Sequence, residues 1–353
     1  RHGLDKETGG GSGRPHGLGS GASASSSSGT GTQGVRLDLI VNTKAFDRQG
    51  EALHRMCSPS FAGPRWLQHV MTGSPELLEA CEDDWRLEAA EQQDRQDGQQ
   101  GRKGDPELPV LPAAEHFLNK SQRGAVAMSL QNRLSVIHGP PGTGKTSVVS
   151  QLLLRWKVES AMSHRPALLV APSNVAVDHL LMCLARDCPA FTLVRVGEPA
   201  RASKACLPFT LEAHFSTHPL ARRRNIAAEE LETLQQSIRS LAVDEKKGKK
   251  GKPQDKKARR RAIVTAIKDK KSEIKALEAQ AYSLIIADAD CVLATANSVG
   301  HDSLAPTFQF PLVVVDEAAQ CSNAETLVPL SRLSKAGQVV LIGDHNQLAP
   351  VIK

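Results

Sequence analysis

The eight residues Gly139-Pro140-Pro141-Gly142-Thr143-Gly144-Lys145-Thr146 constrain this chain more than any other segment. They satisfy the pattern GxxxxGKT. They follow an apolar run, LSVIH at 134–138, and they open a stretch with helical spacing. The pattern requires that strand–turn–helix setting. Its glycines let successive backbone N–H groups curl around phosphate oxygens, and the helix N-terminus adds the positive end of its dipole. Lys145 is then placed to reach the β- and γ-phosphates of a nucleotide, and the Thr146 hydroxyl to ligate Mg²⁺. The competing reading is a chance Gly-rich turn, which the flanking strand and helix disfavour.

The surroundings support a doubly wound sheet. ALLVA (167–171), TLVRV (192–196), CVLAT (291–295), LVVVD (312–316) and VVLIG (339–343) are short and Val-rich, and several are apolar on both faces. Strands of that kind belong to a parallel sheet with helices on both faces. Helical stretches such as 145–158 and 174–186 fall between them, so the fold class is α/β. One segment breaks the alternation. Ala227, Leu231, Leu234, Ile238 and Leu241 recur in steps of three and four, and Ile263, Ile267, Ile274, Leu277, Ala281 and Leu284 resume the spacing, with Lys270 interrupting it. This predicts an antiparallel helical hairpin over about 220–286, inserted in the α/β domain.

The second half of a phosphate-transfer site is VVVDEAAQ (313–320). Asp316 is placed to hold Mg²⁺ and Glu317 to orient and deprotonate an attacking water. A plain helix-capping role for the two acids is the alternative. In LNKSQR (118–123), Gln122 has an amide that both donates and accepts, as reading an adenine edge requires. In GDHNQLAP (343–350), Gln347 is placed to touch the γ-phosphate or the attacking water.

LNKSQ, GPPGTGKT, APSNVAVD (171–178), VVVDEAAQ and LIGDHNQLAP, in this order, resemble the first motor domain of superfamily 1 helicases. The group is that of the nonsense-mediated decay helicase and the immunoglobulin mu-binding helicase. RVGEPAR (195–201) and VLATANS (292–298) lean toward the latter. The resemblance covers about 115–353, and more loosely 44–75, where AFDRQGEAL is similar to the end of the stalk before the motor.

The resemblance implies a RecA-like P-loop NTPase that uses ATP with Mg²⁺ and moves on single-stranded RNA or DNA. It implies that Gln122 binds adenine, that residues 139–146 (Gly139, Pro140, Pro141, Gly142, Thr143, Gly144, Lys145 and Thr146) bind phosphate, and that Thr146 and Asp316 hold the metal. Lys145, Asp316, Glu317 and Gln347 would be catalytic. Ser173 and Asn174 begin a helix at a strand end, where backbone N–H groups and side chains can hold a nucleic-acid phosphate. Ser173 serves equally as an ordinary N-cap. Thr295 and Asn297 lie at another strand end on the same expected edge. Such contacts track a single strand with little sequence preference.

The family's motor has two RecA-like domains with ATP between them, and arginines of the second stabilise the transferring phosphate. This chain ends three residues after Pro350, so half a motor is expected, with the second domain and the β-barrel before the stalk missing. A non-motor nucleic-acid-binding module, whose P-loop binds nucleotide without efficient turnover, is the alternative. A metabolic P-loop kinase does not account for APSN, DEAAQ and GDHNQLAP together.

Composition sets the rest. Residues 1–34 are Gly- and Ser-rich and cannot bury enough apolar surface to fold, so a disordered tail is expected there. Residues 35–85 read as a helical stalk remnant, with Phe46, Leu53 and Met56, then Trp66, Leu67, Val70 and Met71, on two short helices. Residues 86–112 read as a linker and 113–353 as the ATPase domain. No apolar run approaches a membrane span, and no secretory pattern opens the chain. The seven cysteines form no CxxC pair, which fits reduced thiols in the nucleus or cytoplasm. The net charge of +6 comes from one segment, 245–261, which alone carries +8. That basic loop reads either as a nucleic-acid or import patch or as a solvated loop without a partner.

Overall fold

Six strands make the centre of the molecule: β1 (Leu134–His138), β2 (Ala167–Ala171), β3 (Leu193–Val196), β4 (Cys291–Thr295), β5 (Phe310–Val315) and β6 (Leu333–Gly343). All pair in parallel, in the order β1-β6-β5-β2-β4-β3. The computed structural model describes residues 44–58, 60–72, 118–159, 165–246, 253–301, 303–305 and 307–350, within one unit, Thr43–Lys353. The expected tail, the linker and the middle of the basic loop (247–252) lie outside the described residues.

The helices, in chain order, are α1 (Lys44–Cys57), α2 (Arg65–Thr72), α3 (Lys120–Gln131), α4 (Lys145–Glu159), α5 (Asn174–Asp187), α6 (Leu211–Thr217), α7 (Pro219–Lys246), α8 (Pro253–Ala287) and α9 (Asn323–Leu330). They cover both faces of the sheet over β2, β4 and β5, which is why those strands are apolar on both sides; on the edge strand β1, Val136 is exposed. Leu169, Leu293, Val314 and Val340 pack against Val126 of α3, Val149, Leu152 and Trp156 of α4, and Leu180 and Leu184 of α5. The alternate residues Leu168, Val292, Val313 and Val339 pack against Ala52 and Met56 of α1, Trp66 and Leu67 of α2, Leu211 of α6, Ile286 of α8 and Val328 of α9. Truncating one of these buried leucines to Ala costs about 2–5 kcal/mol. The sheet is therefore α/β and doubly wound, with helices on both faces, as the alternating pattern predicts.

The hairpin forms where the heptad spacing places it, as α7 and α8. Two details differ from the pattern. Lys270, the interruption, reaches across the hairpin to Glu230 at 2.5 Å and along its own helix to Glu273 at 2.8 Å, so the seam takes a charge pair there. Leu284, expected on the seam, is exposed, while Ile285, Ile286 and Ala289 are buried against the sheet. The last turns of α8 have left the hairpin and docked on the domain. Among the described residues the six cysteines are free, and no helix is long and apolar enough to cross a membrane.

Candidate active site

Ligand sites in open parallel sheets form beyond the carboxyl ends of the strands. Here the strand register aligns three of those ends. His138 of β1 pairs with Gly343 of β6, and Val315 of β5 with Leu341. The loops that follow therefore leave the sheet side by side. A hydrogen bond from the Gly139 N–H to the Gly343 carbonyl, 3.0 Å, fastens the first to the third.

The loop after β1 curls because Gly142 and Gly144 take positive φ, 76° and 81°, which other residues adopt only under strain. A Cβ on Gly144 would also lie 2.6 Å from the Gln122 amide nitrogen. Gln122 closes a capping box at the start of α3. Its Oε1 accepts from Asn119 N–H and its Nε2 donates to the Thr143 carbonyl, both at 2.8 Å. Both ends of this amide thus tie α3 to the loop. Lys145 donates to the Gly139 carbonyl at 3.0 Å and stands 3.5 Å from Glu317 Oε1.

Asp316 and Glu317 follow β5. Asp316 is 6% exposed, and its Oδ1 is buried without a hydrogen-bond partner. Burial pushes its carboxyl up to about 6; the neighbouring Glu317 charge adds to the shift and Lys145 opposes it. Glu317 sits at φ 50°, ψ 41°, the one non-glycine residue at positive φ among those described. Strain of this kind costs on the order of 1–3 kcal/mol and persists where surrounding structure enforces it. Gly343 makes room for that turn: a Cβ there would be 3.2 Å from the N–H nitrogens of both Ala318 and Ala319.

In the loop after β6, Asp344 is buried and accepts from the Asn346 N–H at 3.0 Å and the Gln347 amide at 3.1 Å. His138 Nε2 lies 3.0 Å from its Oδ1. These donors, Asn346 first, hold the carboxyl down at about 2. Gln347 is positioned by this buried acid.

A cavity of about 430 Å³ collects Pro140, Pro141, Gly142, Gly144, Lys145, Thr146, Asp316, Glu317 and Gln347. Ala176 and His179 of α5 complete its wall, two residues that no local pattern singles out. Gly139, Thr143 and Gln122 line an adjoining cavity of about 610 Å³ between α3 and β1. Asp316, whose Oδ1 is buried and unpartnered, lines the first cavity together with Thr146. Paired oxygen donors of this kind fit a hard cation such as Mg²⁺.

The other candidate residues lie at the ends of β2 and β4, which pair with Ala171 opposite Thr295. Ser173 caps α5 by accepting from the Ala176 N–H at 3.2 Å. Thr295 caps the short 3-10 helix Ala296–Gly300 by accepting from the Ser298 N–H at 3.3 Å. Asn174 Oδ1 accepts from Arg195 Nη2 at 3.0 Å. Asn297 donates to Glu325 of α9 at 3.1 Å, its carbonyl accepts from Arg48 of α1 at 3.0 Å, and its Oδ1 accepts from Gln49 at 3.4 Å. The four residues share one edge, and their side chains are engaged in holding it together.

Comparison with known proteins agrees with this geometry. A family described as an AAA domain matches residues 117–353. An uncharacterised ATP-dependent helicase of Methanocaldococcus jannaschii is 28% identical over 90% of this chain and 46% of its own length. DNA-binding protein SMUBP-2 of Mus musculus is 37% identical over 69% of the chain and 23% of its own length. Regulator of nonsense transcripts 1 of Dictyostelium discoideum is 32% identical over 67% of the chain and 15% of its own length. The chain thus spans less than half of each of these relatives. With the P-loop, the acidic pair and the glutamine of the third loop on adjoining strand ends, the chain belongs to the AAA-domain family, in the superfamily 1 helicase group of the nonsense-mediated decay helicase.

Proposed function

We propose that the chain is the first motor domain of an ATP-dependent helicase that moves along single-stranded RNA or DNA in the nucleus or cytoplasm. The observation that carries this reading is the convergence of Lys145, Thr146, Asp316, Glu317 and Gln347 on one cavity, Asp316 having a buried carboxylate oxygen without a partner.

The chain's own residues define the sequence of events. The Gly142–Thr146 backbone cradles the phosphates. Lys145 exchanges the Gly139 carbonyl and Glu317 for the β- and γ-phosphate oxygens. Glu317, relieved of the lysine, accepts the proton of the attacking water, and its αL backbone keeps the carboxylate at the cavity. Gln347, held by Asp344, offers its amide to the γ-phosphate or that water. Thr146 and Asp316 would hold Mg²⁺, which would supply charge neutralisation for the phosphates. Gln122 meets an adenine edge by giving up the Thr143 carbonyl. A second α/β domain closing on the cavity would add arginines worth about 10³–10⁵ in rate. Ser173, Asn174, Thr295 and Asn297 form the edge along which a single strand lies. There the capped helix N-termini at 173 and 295 offer N–H groups to phosphates.

The test is ATP hydrolysis with and without poly-U or oligo-dT, with Lys145→Ala as control. Stimulation that the variant lacks is the expected result once a second domain is supplied. Binding of a fluorescent ATP analogue through Lys145 without hydrolysis by this chain alone fits the motor-domain reading. Absence of Lys145-dependent nucleotide binding overturns it.

A further inference from the structure

Arg195 is the largest fully buried side chain among the described residues, and it sits in the apolar strand β3. An isolated buried guanidinium is expensive, so its partners define its role. Its Nε donates to Asp178 Oδ1 at 2.6 Å and its Nη2 to Asn174 Oδ1 at 3.0 Å. Both partners are on α5, one turn apart. Asp178 Oδ2 is held in turn by the Ser203 N–H at 2.6 Å. The third nitrogen, Nη1, is buried without a partner; it lies in ordinary contact range of Gly197, whose φ of 139° favours glycine and which also adjoins Ser298.

The two sides of α5 face different things. Asn174 and Asp178 face Arg195. Ala176 and His179 face the nucleotide cavity. Ser173, the cap of the same helix, stands at the proposed single-strand edge, and Ser298 of the opposite cap lies next to Gly197. One rigid helix therefore borders both ligands, and a planar, forked side chain fixes its first two turns.

We propose that Arg195 is a positioning residue for the motor reaction. By holding Asn174 and Asp178 together, it sets the α5 N-terminus against the strand phosphate and couples strand binding to occupancy of the nucleotide cavity. This rests on the helicase reading above. Arg195 touches neither ligand; it acts through α5.

The coupling is read as the ratio of dissociation constants for fluorescein-labelled oligouridylate with and without a non-hydrolysable ATP analogue and Mg²⁺. The full chain is compared with Arg195→Lys and Asn174→Ala. Arg195→Lys keeps the charge beside Asp178 but cannot fork to Asn174. The expected wild-type ratio departs from unity by about fivefold or more, as coupled sites do. Both variants bring it close to one, and the double variant adds nothing further. If Asn174 instead contacts the strand directly, its loss weakens binding equally in both conditions, the ratio survives, and the proposal is overturned. A wild-type ratio of one overturns it too. Should Arg195→Lys fail to fold, Asn174→Ala alone decides by the same ratio. A chain that binds neither nucleotide nor oligouridylate fails the helicase reading itself. A chain that binds both, with variants that keep the ratio, fails only the role of Arg195.

Discussion

The nucleotide cavity and the proposed single-strand edge are built on the same ends of the same sheet, yet they differ in how far their polar groups are satisfied. In the cavity a buried Asp316 oxygen has no partner, Glu317 is held in the left-handed region, and Lys145 rests on groups it can exchange. At the edge, the hydroxyls of Ser173 and Thr295 are spent on helix caps, and Asn174 Oδ1 and both ends of the Asn297 amide on neighbouring elements. A site with unmet bonds is organised around a ligand that meets them. An edge with met bonds offers a fixed shape and the N–H groups of helix ends, which suits a ligand that must slide.

The sharpest way to break that contrast is at Glu317. Glu317→Gln keeps the side-chain shape, so nucleotide binding should persist while hydrolysis by the completed motor falls by about 10²–10⁴, the usual contribution of a general base. Equal loss of binding in an ATP-analogue titration would mean the residue holds substrate instead.

Asp316→Asn comes next. The folded carboxyl titrates at about 6, above its ordinary value near 3.9. The folded chain therefore takes up a proton before the unfolded one, and ionised Asp316 lowers stability above pH 6, a cost relieved as pH falls toward 4. Without nucleotide or Mg²⁺ at pH well above 6, the amide should raise stability by roughly 2–3 kcal/mol. Calorimetry should show a Tm several degrees higher, with the difference vanishing near pH 4. An unchanged Tm would mean that Asp316 is not strained by its surroundings.

At the edge the effects should be smaller. Ser173→Ala removes a cap and costs about 1 kcal/mol, while oligouridylate affinity changes little, because the hydroxyl is already used. A large loss of affinity at unchanged Tm would show a direct contact and erase the distinction between the two regions. The smallest effect is expected at Gly343→Ala. The added methyl must move the Ala318–Ala319 backbone by a few tenths of an ångström, so hydrolysis should drop several-fold with binding kept.

Much of this was legible in the sequence because it is local. β1, β2 and β4 run where the Val- and Leu-rich segments lie, and the P-loop needs only its own eight residues to announce itself. What stayed hidden depends on tertiary placement. Strand β6 begins at Leu333, well before the apolar run at 339, because a register shift lets Leu333 pair with Phe310. Heptad spacing assigns Leu284 to the hairpin seam because periodicity cannot tell where a helix changes partners. The cavity wall at His179, and the buried partners of Arg195, arise from how α5 lies across the sheet, which no spacing within α5 encodes. The Gln122 amide illustrates the same limit: its composition suits an adenine edge, while the fold occupies it with Asn119 and Thr143.

The hairpin has an electrical consequence. Leu277 is buried, and the exposed basic residues Lys257, Arg259, Arg260 and Arg261 lie 16 or more residues before it on α8. At 1.5 Å per residue that is about 24 Å of helix. The Debye length at physiological salt is about 8 Å, so three screening lengths of helix separate this charge from the hairpin's buried root. An anion held at the outer end is therefore screened from that root by salt, and the charge there acts locally, on whatever approaches the end of the hairpin.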